Sequence, residues 1–179
     1  MVWSERSCPS VPMLKGDIEC FYALGSKAIG EGTFGTVFRG IHRASGTVRA
    51  VKSIERNSIN TTAAALYWEI ATMKSMDHPN VIKLHEAIHD TKYTYLAMEL
   101  CEGGELVKRI MQEKNLPEKQ AAPIMRQILQ AVSYVHGRDV AHRDLKPDNF
   151  LLQRKGGLEK NTLKLIDFGF AVPCKPGTV

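Results

Sequence analysis

A chain of 179 residues suits one domain or part of a larger one, and 44% hydrophobic with 24% charged residues is ordinary for a globular protein. The net charge of +5 comes from scattered Lys and Arg, with no finger, homeodomain or RNA-binding signature, so nucleic acid is not an expected partner. The four cysteines, Cys8, Cys20, Cys101 and Cys174, form no C-x-x-C pair, which argues against zinc; no secretory leader and no membrane-length apolar run is present, so a cytoplasmic chain with reduced thiols is expected.

Met1 to Asp17 lacks periodicity and reads as a flexible lead-in, with order expected to start near Phe21. Tyr22 to Ile29 reads as a strand entering a Gly-rich turn, Thr36 to His42 as a second strand, and Thr47 to Ser53 as a third after Ser45-Gly46. Thr61 to Met76 reads as a helix capped by Asn60 or Thr61, with Leu66, Ile70 and Met73 at helical spacing. Val81 to His89 and Tyr93 to Met98 form a hairpin. The first half is therefore expected to be a five-stranded antiparallel sheet with one helix. After Gly103-Gly104 come a short helix, Glu105 to Gln112, and a longer one, Pro117 to His136, striped by Ile124, Ile128, Leu129, Val132 and Val135. Short segments follow at Phe150 to Leu152 and Thr162 to Ile166.

Gly30-Glu31-Gly32-Thr33-Phe34-Gly35-Thr36-Val37 fits G-x-G-x-x-G-x-V. A Rossmann turn uses the same glycines but opens a helix, whereas Thr36-Val37-Phe38 continues as a strand. A strand–glycine–strand flap admits backbone amides to phosphate oxygens; a Gly-rich hairpin without a ligand is the equal alternative on this string alone. Lys52 lies among apolar residues of the third strand, where a lysine needs a carboxylate partner, and Glu69 in the next helix is the candidate.

His142-Arg143-Asp144-Leu145-Lys146-Pro147-Asp148-Asn149 matches H-R-D-L-x-x-x-N in full. Asp144 can align a hydroxyl and accept its proton, Lys146 places positive charge nearby, and Asn149 offers a neutral oxygen to Mg²⁺. A near-miss at His136-Gly137-Arg138-Asp139 fails because no Asn follows Asp139 at the right interval. Asp167-Phe168-Gly169, 18 residues after Asn149, supplies an anionic ligand for the same metal.

These strings, in this order, resemble the eukaryotic protein kinases over roughly Phe21 to Val179. The resemblance implies an α+β kinase-like fold: residues 21–101 as the N-lobe, 102–179 as part of a mainly helical C-lobe, and 1–20 as the lead-in. It implies ATP and Mg²⁺ as cofactors and a protein serine/threonine kinase activity, Lys146 being typical of that type. Glu69 would pair with Lys52, and Met98 falls at the gatekeeper. The Glu99 carbonyl and Cys101 backbone would meet adenine. Ile29, Val37, Ala50 and Leu151 would sandwich it, beneath Gly30, Gly32 and Gly35. Glu105 would touch ribose and a basic residue upstream of the acceptor. Asn149 and Asp167 would hold the metal, and Met73, Leu84, His142 and Phe168 would form an apolar spine.

Lys15-Gly16-Asp17-Ile18 and Glu102-Gly103-Gly104-Glu105-Leu106 further resemble the calcium/calmodulin-dependent group, most of all the calcium-dependent kinases of plants and protists. Calcium or calmodulin control of a longer parent is the corresponding expectation, although no EF-hand loop occurs here. Members of the family continue well past the Asp-Phe-Gly string, so the C-lobe is expected to be incomplete and the Pro117–His136 helix to show part of its stripe to water. Two functions stay open on the sequence: part of an active kinase, or a nucleotide-binding or interaction fragment without transfer activity.

Overall fold

The computed structural model describes residues 13–32, 35–56, 62–113 and 116–174. Cys8, most of the expected lead-in, Thr33-Phe34 of the glycine string and the expected caps Asn60 and Thr61 lie outside the described residues. Two compact units emerge: one from residues 1–75 and 83–100, the other from 76–82 and 101–179.

The first unit holds a sheet of six strands, ordered β1-β5-β6-β4-β3-β2. Strands β2 (Tyr22–Gly32), β3 (Gly35–His42), β4 (Val48–Glu55), β5 (Leu84–His89) and β6 (Tyr93–Met98) pair antiparallel as expected. The sixth, β1 (Leu14–Lys15), pairs parallel with Ile88 and His89. It corrects both the five-strand expectation and the start of order near Phe21. Gly16 N–H extends the pairing to the His89 carbonyl at 3.1 Å. Helix α1 (Ile18–Phe21) follows, capped by Asp17, whose carboxylate accepts the Glu19 amide at 2.9 Å.

Period-two alternation divides the residues of this sheet. Ile18, Tyr22, Val51, Ile88, Tyr95 and Ala97 form one buried cluster. Tyr22 closes it with its hydroxyl donated to Glu86 at 2.6 Å and accepting from Arg49 at 2.7 Å. The alternate residues of β4, Ala50 and Lys52, lie on the opposite face, in register with Met98 and Leu96 of β6. Helix α2 (Ala63–Ser75) buries Leu66, Glu69, Ile70, Thr72 and Met73. Thr62 caps it, accepting the Ala65 amide at 3.2 Å.

In the second unit, α3 (Leu106–Gln112) starts just after the two-residue β7 (Gly104–Glu105), and α4 (Glu118–His136) is the long helix. Ile124, Ala131 and Val135 are the buried residues of α4, whereas Leu129 is 60% and Met125 50% exposed. The expected stripe is thus covered on one side only. Beyond β8 (Val140–Ala141) come a 3₁₀ turn at Pro147–Asn149, β9 (Phe150–Leu152) and β10 (Leu163–Leu165). β11 (Val172–Pro173) returns antiparallel to β8. A sheet ordered β10-β9-β7 places Glu105 opposite Leu151.

Residues 76–82 belong to this second unit despite lying within the sequence of the first. The reason is hydrogen bonding: Leu165 N–H donates to the Asn80 carbonyl at 2.8 Å, and Ile82 N–H to the Leu165 carbonyl at 2.9 Å.

Candidate active site

The first unit holds Lys52 and Glu69 as a pair. Lys52 is 9% and Glu69 4% exposed, and Lys52 Nζ lies 3.2 Å from Glu69 Oε1. Taking either charge out of water alone is costly, so each requires the other. Val37 is the cross-strand partner of Lys52, and Ala50 that of Met98. Val37, Lys52, Ala50 and Met98 therefore share one face of the sheet. On the flap, Gly30 opposes Val37, Glu31 opposes Thr36 and Gly32 opposes Gly35. Glycine is required at 35: its φ is 156°, and a Cβ would collide with the Ser53 carbonyl oxygen. Ile29 is 51% exposed on β2. Glu99 is fixed by two bonds to one residue, its amide donating to the Lys83 carbonyl at 3.0 Å and its Oε1 accepting the Lys83 amide at 2.8 Å. Met73 and Leu84 are buried in this unit.

In the second unit the segment around Asp144 closes on itself. Asn149 Nδ2 donates to the Asp144 carbonyl at 2.7 Å and to Asp144 Oδ2 at 2.8 Å, and Lys146 Nζ meets the same Oδ2 at 2.8 Å. The Lys146 ammonium, and then the Asn149 amide, hold the Asp144 carboxyl below the usual carboxylate range. Lys146 is raised in turn, first by Asp144, with smaller contributions from Asp148 and Asp167. Asp144 is therefore ionised throughout the neutral range. The Lys146 contact is a feature the sequence reading did not anticipate.

His142 supports this loop from below. It is 2% exposed, and burial lowers its pKa. A neutral ring accounts for both of its bonds: Nε2–H donates to the Ile166 carbonyl at 3.1 Å, and Nδ1 accepts the Asp144 amide at 3.3 Å. Its edge meets the Phe168 ring at 5.0 Å between centroids, so two of the four expected spine residues are in contact. Ile166 N–H donates to the Asn149 carbonyl at 2.9 Å, which brings Asp167 next to the Asn149 segment. Asp167 has a φ of 62°, Arg143 of 65° and Asp139 of 55°, left-handed values uncommon outside glycine. Arg143 Nε donates to the Phe170 carbonyl at 2.7 Å. Asp139 lies in the turn after α4, and its carbonyl accepts the Cys174 amide at 2.7 Å.

The donor set fits Mg²⁺. The Asn149 amide nitrogen is committed to Asp144, which turns Oδ1, a hard neutral oxygen, the other way, and Asp167 adds an anionic carboxylate. Among the described residues no cluster of three or more His, Cys, Asp or Glu side chains forms a metal cage. A magnesium ion held here would complete its shell with phosphate oxygens and water. Glu105 pairs with Lys108 at 2.7 Å in the open, and Cys101 is half-buried. Cys20, Cys101 and Cys174 are all thiols. Among the described residues no helix is long and apolar enough to cross a membrane.

The family profile of the protein kinase domain matches residues 24–178. The chain is 38% identical to calcium-dependent protein kinase 5 of Plasmodium berghei over 165 residues, covering 92% of this chain and 29% of that protein. It is 40% identical to calcium-dependent protein kinase 8 of Arabidopsis thaliana over 164 residues, covering 90% and 30% respectively. The chain thus spans under a third of the length of these two relatives. Among solved structures, that of Rad53 1-466 in complex with AMP-PNP superposes with a TM-score of 0.78 at 31% identity, covering 85% of this chain and 40% of that one. The kinase-like α+β fold and the match over most of the sequence agree: the chain belongs to the protein kinase domain family.

Proposed function

We propose that this chain carries the phosphoryl-transfer residues of an ATP-dependent protein serine/threonine kinase. The observation that carries the reading is the Asp144 carboxylate, ionised and held on one oxygen by both Lys146 and Asn149, with Asp167 following the strand bonded to Asn149. In this reading Asp144 orients the acceptor hydroxyl and takes its proton as the bond to phosphorus forms. A lowered carboxylate pKa suits late proton acceptance better than early abstraction. Lys146 offsets charge on the transferring group, and Lys52, oriented by Glu69, holds the α- and β-phosphates. Asn149 and Asp167 would ligate Mg²⁺, which when bound neutralises phosphate charge. Gly30, Gly32 and Gly35 cover the phosphates; Ile29, Val37, Ala50, Met98, Leu151 and the Glu99 and Cys101 backbone receive adenine; Glu105 addresses ribose. The AMP-PNP in the similar Rad53 structure supports a nucleotide ligand.

The names of the relatives support a calcium-regulated parent with protein substrates, and the serine or threonine acceptor rests on the family resemblance carried by Lys146. The test is transfer of labelled γ-phosphate to serine, threonine and tyrosine peptides, by this chain and by the full-length protein. Label on serine or threonine supports the reading. Nucleotide binding with no transfer by either form would leave only the binding fragment.

A further inference from the structure

The strand leading to Asp167 is short, and its outer edge is closed by a side chain. Gln127, on α4, presents its amide to β10 as a peptide group would. Oε1 accepts the Leu163 amide at 2.8 Å, and Nε2 donates to the Asn161 carbonyl at 3.1 Å. Those two backbone groups flank a single residue and face the same side of an extended chain, so one primary amide satisfies both.

The same Oε1 accepts Asn80 Nδ2 at 2.9 Å, and Asn80 Nδ2 also donates to the Leu163 carbonyl at 3.0 Å. Asn161 closes the preceding turn, accepting the Arg154 amide at 3.1 Å and donating to the Arg154 carbonyl at 2.6 Å. Asn80 is 5% and Asn161 8% exposed. From this anchored start β10 runs through Leu165 to Ile166, whose amide bonds Asn149 and whose carbonyl accepts from His142. The next residue is Asp167, in the left-handed region at φ 62°. Such a conformation in a non-glycine residue persists only where its neighbours fix it.

We propose that Gln127 is a positioning residue for Asp167. By fixing the start of β10 it holds the strained turn from which the Asp167 carboxylate faces the metal. This rests on the reading of Asp167 as a magnesium ligand.

The test measures ATP affinity with and without Mg²⁺ in the full-length protein, together with melting temperature. The proteins compared are the unmodified form, Gln127→Met, Gln127→Glu and Asp167→Asn. Gln127→Met keeps the length of the side chain without its hydrogen bonds. It should lose roughly tenfold of the Mg²⁺-dependent gain in affinity, as second-layer substitutions at metal sites do, with metal-free affinity unchanged. Gln127→Glu keeps an acceptor for the Leu163 and Asn80 amides but sets a carboxylate oxygen against the Asn161 carbonyl, so it should show the same loss at pH 8.

A lower melting temperature with the full Mg²⁺ gain retained would make Gln127 a stabiliser only and overturn the proposal. A Gln127→Glu form with the full Mg²⁺ gain at pH 8 would also overturn it. If Asp167→Asn itself retains the Mg²⁺ gain, the metal-ligand reading falls and the proposal with it. If Asp167→Asn loses the gain while Gln127→Met keeps it, the Gln127 proposal alone falls.

Discussion

Asn149 and Lys146 both bind Asp144 through the same oxygen, Oδ2, at 2.8 Å each. In the proposed reading, Oδ1 is the oxygen left to receive an incoming hydroxyl. The two contacts restrain the carboxylate rotation that would otherwise have to be frozen during reaction, which is where positioned groups gain their advantage.

Asp144→Asn should lower turnover by roughly 10²- to 10⁴-fold, the range for loss of a general base, while leaving ATP affinity near its starting value. Steady-state transfer measured beside nucleotide titration checks this. A parallel loss of ATP binding would show that Asp144 serves the nucleotide instead.

Breaking the buried Lys52–Glu69 pair should be costly. Lys52→Met leaves the Glu69 carboxylate at 4% exposure without its ammonium, and a destabilisation of about 3–5 kcal/mol is expected. Adding Glu69→Leu should restore most of the lost stability without restoring transfer. Urea unfolding of the single and double variants gives the comparison; equal destabilisation by both would argue that packing, and not the orphaned charge, sets the cost.

Acid should destabilise the fold before any carboxylate titrates. His142, His78 and His85 all have lowered pKa values, with burial the leading cause for each. The unfolded chain therefore binds protons first as pH drops through about 6.5. The contribution of these neutral rings is fully present above that pH and is lost below it. Melting temperature should fall between pH 7.5 and 5.5, and further below about pH 4, where Asp144 of the unfolded chain takes up a proton before the folded one does. A melting temperature that rises on mild acidification would contradict the neutral assignment of these rings.

Gly103 packs where a Cβ would run into the Arg154 carbonyl oxygen and the Leu152 side chain. Gly103→Ala should cost about 1–3 kcal/mol by overpacking. Its amide bond to the Leu152 carbonyl at 2.9 Å should show faster hydrogen exchange in the variant. Unchanged stability would mean that the Glu102–Glu105 segment yields freely.

The contiguous strings were readable because their chemistry is local: Asp144, Lys146 and Asn149 meet within one turn. The Lys52–Glu69 pair was also legible, since a lysine between apolar neighbours demands a carboxylate. What escaped was non-local. Gln127 in an amphipathic helix reads like any solvent-facing glutamine until β10 is brought beside it. Residues 76–82 belong with the second unit through Leu165, far away in sequence. Leu14–Lys15 is too short to show alternation, and both residues are exposed. On α4 the periodicity located an apolar stripe but could not say which of its members, Val135 or Leu129, would be covered.

The small parallel strand β1 has a practical weight beyond its size. It occupies what would otherwise be the open rim of β5, where unpaired backbone groups invite another chain to add on. A version trimmed to begin at Leu24, where the kinase profile begins, would remove that cover along with Ile18 and Tyr22 from the core beside it. The leading residues thus cover backbone groups of Ile88 and His89 on that rim, and a boundary drawn by family likeness alone would discard them.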